Sequence, residues 1–164
     1  MAAAVAFAVA LAVGAGYALA RDSGDAGDAD QQAMAARAAS VMPFDLEATT
    51  HTFTKNTTGG IEQIVANDPR DEGNISLVRQ HLQGEADQFA EGDYSDPATI
   101  HGTTMPGLQE LQAAGDRVQI RYEQVPSGAR ITYTSSDPVL VAALHAWFDA
   151  QNSDHAMPGM GMGN

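Results

Sequence analysis

Histidine is the side chain that changes charge nearest neutral pH, and it is the commonest ligand of transition metals. The chain carries five: His51, His81, His101, His145 and His155. Two of them have a carboxylate one helical turn further on, Glu85 after His81 and Asp149 after His145, a spacing that puts both groups on one side of a helix. Met105 follows His101 by four residues, and His155 opens a tail, HAMPGMGMGN, that contains Met157, Met160 and Met162. A thioether is a soft donor suited to Cu(I), and methionines two residues apart bring two sulfurs within reach of one ion. With no cysteine in the chain, thiolate sites and cysteine nucleophiles are excluded. Imidazole with methionine and without thiolate favours copper over zinc. Each feature also has a plainer reading: a satisfied His–Glu hydrogen bond, a solvated loop histidine, a flexible end. No H-E-x-x-H, G-x-S-x-G or phosphate-binding glycine loop is present, so no catalytic constellation is legible.

The charge balance points the same way. Lys and Arg number 8 against 21 Asp and Glu, a net charge of −13. Such a surface is repelled by nucleic-acid phosphates and anionic lipid headgroups, and attracts cations. Residues 1–20 are apolar or small with no charged side chain, just long enough to span a bilayer. They end Ala18-Leu19-Ala20, an A-x-A pattern at which a signal peptidase could cut before Arg21. The segment is thus a leader helix, either a signal peptide or a retained anchor, and the rest of the protein works outside the cytoplasm. Membrane contact is expected through residues 1–20 only.

Residues 21–41 read as an acidic flexible linker. Their Asp22, Asp25, Asp28 and Asp30 lack the Gly and Glu register of an EF-hand loop. A domain over residues 42–154 follows, and residues 155–164 form the Met- and Gly-rich tail. Alternation predicts strands over 49–55 and 61–66, with His51 and Phe53 turned to the core. A stripe of Ile75, Val78, Leu82, Ala86 and Phe89 predicts a helix from about 75 to 91, capped by Asp71 or Asn74, with His81 at the stripe's edge and Glu85 nearer its centre. Residues 93–105 read as loop and 106–114 as a short helix. Strands over 117–123 and 129–134 and a helix from Pro138 to about Asn152 complete the chain, with His145 and Asp149 opposite the Leu140, Ala143 and Trp147 face. The order ββααββα predicts an α+β fold, an antiparallel sheet of about four strands covered on one face by helices.

At THTF, LVRQHL, DPATIHG, MPGL, ARITY and DPVLVAALHAWFDAQ…DH the chain resembles a family of small bacterial exported proteins, over roughly residues 42–156. Members circulate under the label aspartate carbamoyltransferase. That label is a mistaken transfer, because carbamoyltransferases are longer and carry a phosphate-binding S-T-R-T loop that is absent here. The resemblance implies a shared pattern of His51, His81, His101, His145 and His155 and, more weakly, an association with heavy-metal or copper handling. The Met-rich tail lies outside it.

The expectation is therefore an extracytoplasmic metal-binding protein without catalysis, copper being the favoured ion. Its ligand pool is His51, His81, His101 and His145, with Glu85, Asp149, Met105, His155, Met157, Met160 and Met162 as further donors. Two alternatives stay open: a small enzyme of the hydrolase or transferase class using His81–Glu85 or His145–Asp149 as acid and base, and an anchored domain that binds a membrane or exported partner protein and no ligand. The last predicts histidines scattered over separate faces.

Overall fold

A computed structural model describes Ala29 and residues 32–155; the leader, most of the acidic part of the expected linker and the residues after His155 lie outside the described residues. The chain divides into two units, residues 1–33 and residues 34–164, and the second carries the fold. Among the described residues no helix is long and apolar enough to cross a membrane.

Residues 32–41 form a helix, α1, where the sequence suggests the end of a linker. The acidic residues stop at Asp30, and the alanine-rich stretch after them is strongly helix-forming. Ala38 is fully buried, and Met34, Ala35 and Val41 pack on the core. Strand β1 (Thr49–Asn56) and strand β2 (Gly59–Ala66) then make a hairpin closed by Thr57 and Thr58. Strand β2 begins at Gly59, two residues before the expected 61–66, and Gly60 has to be glycine for space, since a side chain there would run into the Phe148 ring and the Thr54 carbonyl.

Helix α2 (Glu72–Ala90) is capped by Asp71, whose side chain accepts from the Asn74 backbone N–H at 3.1 Å. It buries Ile75, Val78, Leu82, Glu85, Ala86 and Phe89, the predicted stripe with the carboxylate included. The expected loop over 93–105 contains a helix, α3 (Ser95–His101). Asp93 accepts from the Ser95 N–H at 2.9 Å and so starts it. Pro97 is the third residue of that helix, inside the first turn, where its missing N–H costs no internal hydrogen bond. Helix α4 (Leu108–Gln112) and a 3-10 turn at Gly115–Arg117 lead into strand β3 (Gln119–Val125) and strand β4 (Gly128–Thr134). Helix α5 (Pro138–His155) ends the described chain, with Asp137 accepting from the Val139 N–H at 2.9 Å.

The sheet order is β1-β2-β4-β3, all antiparallel, so the hairpins meet through β2 and β4. One face carries His51, Phe53, Glu62, Ile64, Ala129, Ile131 and Tyr133, all buried beneath α2 and α5. The other carries Thr50, Thr52, Thr54, Gln63, Thr132 and Thr134, none of them buried. This is the α+β sheet covered on one face that the alternation predicts. Arg79 fastens α2 to the sheet, donating to the carbonyls of Val125, Pro126 and Gly128 at 2.9–3.1 Å.

Gly107, the residue before α4, sits at φ 79°, and any Cβ there would overlap the Ala143 carbonyl oxygen of α5. Gly107→Ala therefore combines backbone strain with a steric conflict between two helices, and should cost about 2–4 kcal/mol. Urea denaturation checks this; a loss below about 1 kcal/mol would mean that α4 can shift away from α5.

Candidate functional site

The buried sheet face and the helices above it enclose a small cavity. His51 comes from β1 and Glu62 from β2, His81 and Glu85 from α2, His101 from the end of α3, and Trp147 and Gln151 from α5. Met42, Phe53, Phe89 and Ile100 supply apolar walls. The cavity volume is about 20 Å³, enough for roughly one water molecule or one bare ion. Pockets for organic ligands are usually about 300–1,000 Å³, so the acid–base alternative has no room here for an ordinary substrate.

Local structure explains each placement. Strand alternation turns His51 inward with Phe53, as expected. In β2 it turns Glu62 inward with Ile64, opposite Phe53 and Ile131 on the neighbouring strands. Tyr133 lies two residues along β4 from Ile131, the diagonal position, and its hydroxyl donates to Glu62 Oε2 at 2.6 Å. On α2, the i, i+4 spacing sets His81 Nε2 3.4 Å from Glu85 Oε1, with both side chains less than a tenth exposed. That distance is long for a hydrogen bond, and the contact becomes an ion pair when His81 is protonated. Phe44, just after α1, lies against both imidazoles, its ring centre 5.7 Å from that of His51 and 5.5 Å from that of His81. The Arg37 Nε of α1 donates to the Ile100 carbonyl at 2.9 Å, next to His101.

Five polar groups, His51, Glu62, His81, Glu85 and Gln151, are thus taken out of water beside one another. Their titration reflects it. Burial and the neighbouring Glu85 carboxylate push the Glu62 carboxyl up to about 8, against the opposing pull of the Tyr133 hydroxyl and His81. Burial works against the charged form of His81, but Glu85, joined by Glu62 and Asp96, outweighs it and lifts the imidazole above its ordinary value. Burial and Glu85 also raise Asp96. Burial and then the Glu62 charge raise the hydroxyls of Tyr94 and Tyr133.

The expected donors divide. His51, His81, His101 and Glu85 line this cavity together. His145 does not join them: its Nε2 reaches the carbonyl oxygens of Asn56 at 2.9 Å and Gly59 at 3.0 Å, and so ties α5 to the β1–β2 turn. Asp149 pairs with Lys55 at 2.5 Å on the surface. Met105 is buried in the hydrophobic core. The side chain of His155, with Met157, Met160 and Met162, lies outside the described residues. Glu62, Gln151 and Met42 carry no donor signal in the sequence, and Trp147 reads there as part of the apolar face of α5, yet all four line the cavity. The Trp147 indole N–H is fully buried and has no hydrogen-bond partner among the described residues.

The donor set of three imidazoles, two carboxylates and a thioether suits a transition metal. Among the described residues no three of the His, Asp and Glu side chains are spaced as a bound ion would hold them. Compared with known families, curated proteins and solved structures, the chain matches none.

Proposed function

We propose that this protein is an extracytoplasmic metal-binding module, with copper the favoured ion, that holds its cargo without transforming it. One observation carries the reading. Three of the five histidines, 30 and 20 residues apart along the chain, sit on three different elements and line one buried, ion-sized cavity together with two glutamates. Burying that many polar groups is destabilising, and perturbed groups of this kind cluster at functional sites. The convergence of His51, His81 and His101 supports this reading over an interaction domain with scattered histidines, while His145 stands apart. Export is supported by the apolar leader with its A-x-A end.

Titration of the metal-free full chain with copper should show one ion per chain. The variant with His51→Ala, His81→Ala and His101→Ala should lose at least about 100-fold in affinity, while His145→Ala stays within about threefold of the parent. Replacing Met157, Met160 and Met162 together by alanine separates the tail from the cavity. Affinity that survives the triple histidine variant and disappears with the tail methionines would move the site to the terminus. No uptake by the parent would remove the metal reading.

A further inference from the structure

The two carboxylates distinguish this cavity from an imidazole-only site. Glu62 and Glu85 are both more than nine-tenths buried, and they lie in about 20 Å³ shared with His51, His81 and His101. If both ionise, two negative charges occupy a space the size of one ion, and a cation of charge +2 neutralises them where a cation of charge +1 leaves one uncompensated. Uncompensated buried charge is the costliest state available to such a site.

Donor chemistry leads to the same ion. Carboxylate oxygen is a hard donor, imidazole is borderline, and only thioether sulfur is soft. Met42 is the one methionine lining the cavity among the described residues; Met105, buried in the same core, does not line it. The His81 side chain is less than a tenth exposed, and its Nε2 atom has no hydrogen-bond partner among the described residues beyond the long 3.4 Å approach to Glu85. Glu62 is held through one oxygen, Oε2, by the Tyr133 hydroxyl, which leaves Oε1 as the atom to offer an ion. The buried Trp147 N–H is a donor beside these acceptors, available to a carboxylate oxygen or water drawn into an ion's shell.

Resting on the metal site proposed above, we infer that the cavity is built for divalent first-row ions, Cu(II) among the states of copper, and that Glu62 is the ligand that sets this preference.

The full chain and its Glu62→Gln variant would be titrated with Cu(II) and Zn(II), and anaerobically with Cu(I) against a chelator of known affinity. Circular dichroism confirms that both are folded. Glutamine keeps the shape and the Tyr133 contact but removes the charge. The variant should lose roughly 10–100-fold in affinity for Cu(II) and Zn(II) and stay within about threefold for Cu(I). By the same cycle, the bound copper of the variant should be easier to reduce. Equal losses for Cu(I) and Cu(II), or none for either, would overturn the divalent preference and leave the metal site standing. A parent that takes up no ion in any state would overturn both.

Discussion

With Glu62 replaced by glutamine, the metal-free protein should be more stable than the parent by about 2–4 kcal/mol above pH 8 and nearly equal to it near pH 4.5. A carboxyl that titrates at 4.5 in the unfolded chain and at about 8 in the folded one binds more protons when folded throughout that window. Stability therefore falls as pH climbs from 4.5 to about 8, and levels off above. The rise corresponds to roughly 5 kcal/mol at about 1.4 kcal/mol per pH unit; relaxation of the neighbouring groups lowers the realised effect. Those neighbours are Glu85 and His81 from α2, Tyr133 from β4, and Tyr94 beyond α2. His81 acts in the same sense: raised above 6.5 when folded, its contribution is complete below that value and fades as pH passes its folded pKa. Urea denaturation of parent and variant in chelator, at steps between pH 4.5 and 9, measures the difference. Parallel stability curves would show that Glu62 is not held protonated by its surroundings. A gain in stability combined with a loss of divalent affinity in one variant is the mark of a group kept for binding and not for folding.

Trp147→Ala should act in the opposite direction and lower stability by about 3–5 kcal/mol. The indole is almost fully buried and meets Phe53, Phe89, Tyr94, Tyr133 and Phe148, with ring centres 5.5–6.4 Å apart and mostly edge to face. Such pairs add to the apolar area that the ring removes from water. A domain of this size has only about 5–15 kcal/mol in total, so the thermal midpoint should fall by roughly 10–20 °C. The same substitution opens a hole beside the cavity and loosens Gln151, one turn further along α5. Trp147→Phe, which keeps most of the volume, should recover more than half of the loss. A loss under about 1 kcal/mol for the alanine variant would mean that the aromatic cluster repacks around the gap. Because Trp147 is the chain's one tryptophan, its fluorescence also reports on the cavity, and Cu(II) uptake there should quench it.

Much of the fold is legible along the chain because its signals are local. Alternation in THTFTK and ARITYT, the 3–4 stripe of α2 and the caps at Asp71 and Asp137 each depend on a few neighbouring residues. The helices α1 and α3 escaped that reading for equally local reasons. An acidic stretch and an alanine-rich one run together as one small-residue, linker-like segment, and Asp96-Pro97 reads as a loop although proline is harmless in a first turn. The site was harder to see. His51, His81 and His101 could be named as donors, but nothing in spacings of 30 and 20 residues shows that a strand edge, a helix edge and a helix end converge. Glu62 was hidden by its strand. In GGIEQIVA, Ile61 and Val65 make one face about as apolar as Ile64 and Ala66 make the other, so period alone does not say which face the carboxylate shares. The inward face is decided by pairing with β4, a long-range contact. His145 misled for the converse reason, since its partners are backbone carbonyls of a distant turn that leave no trace in side-chain spacing.

X-ray absorption on the copper-loaded full chain, beside the variant lacking His51, His81 and His101, tests the convergence most directly. The parent should show one copper with the scattering pattern of two or three imidazoles, and the variant should lose it. An identical spectrum in both, or a shell dominated by sulfur in the parent, would place the ion elsewhere and contradict a metal site in this cavity.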